Sequence, residues 1–240
     1  MKTSMLWTAA ICGLAVSAAA HPGRRFQIQV VDGQLRAQGY ITDGVDDGNG
    51  LMRPYYNSIH DHWTNVPGDT TAISIQPGYD LLDPGPLVGE DIMLRLIGAS
   101  KWVAPPMMPM PGTIPLLEPL GPGETISVTF NQTSVNTDSP GLLPLLFETP
   151  VNGAIDMDPL YAIGQHPANV IYVLQFELST TAPGVAASDP IHVLMSPDGD
   201  NMMMRLHHAS LYLESYLGIP SPSALAMLGL AGLGACRRRR

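Results

Sequence analysis

Short runs of alternating apolar and polar residues occupy most of this chain. "RFQIQVVDGQLRAQGYI" (25–41) reads as two strands joined at Asp32-Gly33, because Asp-Gly supplies the positive φ angles that a two-residue hairpin turn needs. Further strands are predicted at 71–75 (TAISI), 91–99 (DIMLRLIGA), 124–130 (ETISVTF), 169–180 (NVIYVLQFELST) and 191–195 (IHVLM). Turn sequences such as "QPGYD", "GPGE", "TAPG" and "SPDGD" separate them. No segment before position 205 keeps a 3.6-residue period, and 202–218 (MMMRLHHASLYLESYLG) fits strand and helix equally. Many short strands without intervening helices predict an all-β fold, an antiparallel β-sandwich in a single domain. Residues 104–123 (APPMMPMPGTIPLLEPLGPG) are too apolar for a flexible linker. They are expected to pack over one end of the sandwich as an extended loop. There is no internal repeat and no second domain boundary.

Both ends break this pattern. Residues 1–20 carry one early charge, Lys2, then an apolar run to Val16, then "SAAAH". A positive start, an apolar core and a small-x-small site make a secretory signal peptide. Ala18 and Ala20 fill the small positions, so signal peptidase cuts after Ala20 and leaves His21 first. Cleavage after Ala19 fits nearly as well. Cys12 does not fit a lipid anchor, because Ile11 stands where a small residue is required.

At the other end, Ala224 to Cys236 are thirteen apolar or small residues. As a helix they would span about 20 Å, against roughly 30 Å of hydrocarbon. Length alone makes a marginal hydrophobic terminus. Four arginines, Arg237 to Arg240, follow at once and resist translocation, and Pro220-Ser221-Pro222 separates the run from the chain before it. Residues 219–240 thereby resemble the PEP-CTERM sorting signal of Gram-negative bacterial surface proteins: a Pro-Glu-Pro motif, a Gly- and Leu-rich segment and a terminal arginine cluster. Here Ser221 replaces the glutamate. The resemblance covers only these 22 residues. It implies exosortase, a processing transpeptidase, as a partner, with transient inner-membrane anchoring before the domain is attached to or released from the cell surface. The organisation expected is 1–20 signal peptide, 21–218 β-sandwich and 219–240 sorting tail.

Removing the ends sharpens the composition. Residues 21–218 hold all 21 acids but only seven bases, a formal charge of −14 against −9 for the whole chain. Such a domain repels phosphate backbones, which excludes nucleic acid as a partner. Both cysteines, Cys12 and Cys236, lie in the end segments. The domain between them therefore has no disulfide, thiolate ligand or cysteine nucleophile.

Chemistry, if any, rests on histidine. In "YYNSIHDHW", His60 and His62 would share one face of a strand about 7 Å apart. Two imidazoles at that spacing can converge on zinc or copper, with His207 or His208 as third ligand and His192 in reserve. The plainer reading makes them ordinary strand residues beside Trp63. A free N-terminal His21 would resemble the histidine brace of secreted copper proteins. The methionine groups at 107–110 and 201–204 suit core packing better than Cu(I). The acidic turn at 42–50 departs from a calcium loop at Val45. The sequence has no G-x-S-x-G, S-x-x-K, H-E-x-x-H or phosphate-binding glycine loop, so no residue is assigned a catalytic role. The readings, in order, are a non-enzymatic exported surface or matrix protein with surface polysaccharide or matrix as partner; a zinc or copper store or scavenger at the surface; and an exported metalloenzyme.

Overall fold

The computed structural model describes residues 23–42, 52–56, 58–65, 71–110, 113–166, 169–197, 212–213 and 216. Its first strands are β1 (Gly23–Val31), β2 (Gln34–Thr42), β3 (Met52–Tyr56), β4 (Ser58–Asn65), β5 (Ala72–Ser74) and β6 (Gly78–Leu81). After a 3-10 turn (Gly85–Leu87) come β7 (Ile92–Val103), β8 (Leu117–Glu118), β9 (Ile126–Phe130), β10 (Thr133–Asn136) and β11 (Leu142–Leu146). The last strands are β12 (Ile155–Met157), β13 (Leu160–Ile163), β14 (Val170–Thr180) and β15 (Ile191–Pro197). The chain is an all-β sandwich, as its alternating pattern predicts.

One sheet runs β12-β6-β1-β2-β3; the larger runs β10-β9-β13-β5-β4-β15-β14-β7-β11, with β8 alongside β7. Pairing is antiparallel except at β1–β6 and β4–β15, which are parallel. The hairpin predicted at Asp32-Gly33 forms, with φ of 53° and 76° at its two turn residues. Inward-facing residues of both sheets make the main core, among them Phe26 and Tyr79 from one side and Tyr161 and Phe176 from the other. Phe26 stacks on Tyr79 at 5.5 Å, and Tyr161 meets Phe176 edge-on at 6.3 Å.

A second, smaller core lies on the opposite face of the larger sheet. Trp102, Ile171, Val173 and Leu194 form it, and Leu213 and Tyr212 close over it. The ambiguous C-terminal stretch is helical at 212–213 and 216. The loop expected at 104–123 is only half packed, and a turn closed by the Thr113 N–H donating to the Met110 carbonyl interrupts its extended course. Along 104–118, excluding 111–112, odd positions are buried or half-buried and even positions are exposed. Prolines at 105, 109 and 115 sit on the inward row, where the missing N–H costs nothing if no ladder is formed.

Candidate functional site

The predicted histidine pair lies in β4. The parallel register sets Ser58 beside His192, His60 beside Leu194 and His62 beside Ser196. Ile191, Val193 and Met195 belong to the main core, whereas Leu194 belongs to the smaller one. His192 therefore lies on the face of the smaller core. His192 is 8% exposed, and the Gln175 amide lies 3.4 Å from its Nε2. His62 and His192 stand four residues apart along the strands and one strand across, about 14 Å. Position 60 lies between them along β4. His207 and His208 lie outside the described residues, as do Ala20 and Pro220, Ser221 and Pro222. Among the described residues no three His, Cys, Asp or Glu side chains gather as a metal cage.

Two ionic clusters were not foreseen. Arg25, only 2% exposed, sits on the face of β1 turned away from Phe26. Its Nε meets Asp80 Oδ1 at 2.7 Å, its Nη1 meets Asp158 Oδ1 at 2.8 Å, and its Nη2 pairs with Asp156. The parallel β1–β6 register opposes Arg25 to Gly78, and β6–β12 opposes Asp80 to Asp156. Gly78 is required there: a Cβ would collide with Asp158 Oδ1 and lie 2.7 Å from Arg25 Cζ. Burial pushes the Asp80 carboxyl up, with the charge and hydrogen bond of Arg25 opposing the shift.

The second cluster centres on Glu124, 6% exposed. Lys101 Nζ lies 2.5 Å from Oε2, the Gly121 N–H donates to the same oxygen, and Tyr172 donates to Oε1 at 2.9 Å. Burial alone would raise this carboxyl, but the hydrogen bonds from Lys101, Gly121 and Tyr172, with the Lys101 charge, together hold it below its ordinary range. Burial, and then the Glu124 carboxylate, push the Tyr172 hydroxyl up. This arrangement clamps the returning end of the 104–123 segment to β7 and β14. Lys101 and Glu124 neutralise each other, whereas Arg25 stands among three carboxylates; neither cluster presents a nucleophile beside a free base.

Along the outer edge of β7, β11 pairs as far as Arg95 and β8 pairs with Lys101 and Trp102. Between them lie two adjoining hollows of about 250 and 320 Å³, both lined by Leu96, Ile97 and Pro140. Arg95 and Asp138 are their only charged lining residues. Neither hollow includes a histidine.

Sequence signals for these clusters were faint. Arg25 and Asp158 are 133 positions apart, Lys101 and Glu124 only 23. A lone charge in an apolar strand was the sole hint of either.

No protein-family model matches the chain, and no curated protein matches it. Among solved structures it is similar to the CooA pilin subunit of enterotoxigenic Escherichia coli, with 15% identity over 63% of this chain and 95% of that one, at a TM-score of 0.30. An overlap this loose carries neither fold nor function across.

Proposed function

We propose that this is an exported, non-enzymatic surface protein. Residues 1–20 direct secretion, the β-sandwich is the delivered domain, and 219–240 are the signal at which an exosortase-type transpeptidase processes it. The order Pro220-Ser221-Pro222, apolar run, Arg237 to Arg240 carries this reading. The absence of catalytic motifs and the tying of the buried charges to strand register support a binding or structural role, with surface polysaccharide or matrix as the partner class. Among the described residues no helix is long and apolar enough to cross a membrane; the tail lies outside them. Intact-mass measurement of protein from the native host should show loss of about the first 20 and the last 20 residues. A complete C-terminus in the mature surface fraction would refute the processing.

A second reading, zinc or copper binding at the surface, is favoured by one observation. The parallel register sets His192 two positions along from His60 on the neighbouring strand.

A further inference from the structure

Solvent-facing rows of extended segments are ordinarily polar. The even row of the 104–118 strap is apolar as far as Leu116 and turns polar only at its last member, Glu118. Met108 is 60% exposed, Met110 66%, Ile114 68% and Leu116 70%, and no charged residue occurs between Lys101 and Glu118. Met108 and Met110 precede a turn closed by the Thr113 N–H donating to the Met110 carbonyl, and Ile114 and Leu116 follow it; apolar side chains clustered in water about such a turn mark an interaction surface.

The strap's position identifies what it meets. The Tyr212 hydroxyl donates to the Thr113 carbonyl, and the Tyr212 ring lies 6.4 Å from that of Trp102. Leu213 is buried in the smaller core beneath. The strap is thus fastened to the last described segment of the chain, and only seven residues separate Tyr216 from Ala224, where the apolar tail run starts. Seven residues span at most about 25 Å. Whatever lipid receives the tail lies within that distance of the strap's side of the domain. The opposite end of β7, where Leu146 pairs with Ile92 and Phe147 follows, is about 35 Å from the strap end.

We propose that Met108, Met110, Ile114 and Leu116 form a membrane-contact row that dips into the lipid interface while the tail holds the domain there. This rests on the tail reading above. The lipid surface suits the chemistry of these residues: unbranched and branched apolar side chains, no charge between Met108 and Leu116, and Pro106 ahead of them, which offers no N–H to a pairing strand. The strongly acidic remainder of the domain is held off an anionic bilayer, so contact is confined to this uncharged strip.

The test uses the tail-bearing chain with Cys12→Ser and Cys236→Ser and a single environment-sensitive label at Met110→Cys. Phe147→Cys, equally exposed at the far end, serves as the control. Vesicles of phosphatidylethanolamine and phosphatidylglycerol with brominated acyl chains are the probe, and circular dichroism checks the fold of both variants. The expected result is that the chain floats with the vesicles, the label at 110 shifts to the blue and is quenched, and the label at 147 is unchanged. If the chain floats and the label at 110 stays in water, the contact row is wrong and the tail reading survives. If the chain does not float, the tail reading fails and the row falls with it. A blue shift at 110 that grows with protein concentration without vesicles would assign the row to a second copy of the chain and overturn the proposal.

Discussion

Arg25 and Asp80 meet at 2.7 Å between neighbouring parallel strands, on the face of the smaller sheet that does not touch the main core. The guanidinium also serves Asp156 and Asp158, so one cation stands among three carboxylates. Pairing of this kind holds strand edges in register: β1, β6 and the end of β12 are tied at a single side chain.

Replacing Arg25 leaves those carboxylates facing one another without a counter-charge. Arg25→Met should lower stability by about 3–5 kcal/mol at neutral pH, measured by urea unfolding. The loss should shrink on acidification. The folded-state Asp80 carboxyl is already raised by burial and rises further without Arg25, so it takes up a proton as pH falls through its folded value, relieving the repulsion. Adding Asp80→Asn to Arg25→Met should cost less than the sum of the two single changes. Strict additivity would show that the pair is not coupled.

Glu124 acts in the opposite sense. Its carboxyl is lowered by its donors, so it contributes stability that is fully present above its unfolded value and lost as pH falls through its lower folded value. Glu124→Gln should be less stable at pH 7, and its difference from the parent protein should narrow below pH of about 4.5. Thermal melts across an acid series test this; a gap that stays constant into acid would remove Glu124 as the source.

The histidine row predicts binding of zinc or copper near one equivalent per domain. At 100-fold excess over Kd, such an ion would stabilise the fold by about 2.7 kcal/mol. His60→Ala should abolish binding, His62→Ala or His192→Ala should weaken it, and His166→Ala should leave it unchanged. Titration calorimetry with elemental analysis of untagged protein decides the matter: no bound metal, or binding indifferent to His60, would make these ordinary strand residues.

The legible part of this fold was the part written in local pattern. The Asp32-Gly33 hairpin, β7, β9, β14 and β15 follow from turn chemistry and alternation. β11 was not legible, because Pro144 in "LLPLL" argues against a strand, yet Pro144 opposes Met93 on an edge strand beside a register shift, where a missing donor is tolerated. β6, β12 and β13 are only three or four residues long, too short for a period to show. The two parallel pairings and the Arg25 cluster depend on residues far apart in sequence, and no local pattern encodes them. For the histidines, spacing gave the pair in β4; the neighbouring position of His192 came only from the register.

That same β4–β15 register has a consequence in time. His192 follows Ser58 by 134 positions, and for residues 58–63 the paired neighbour is β15. At roughly 5–20 residues per second of synthesis, the stretch waits several seconds for its partner. A chain emerging N-terminus first therefore cannot close its larger sheet until nearly all of the sandwich has been made. The long-range pairing that completes the sheet also keeps the nascent chain open, a form that can still be threaded through a secretion channel.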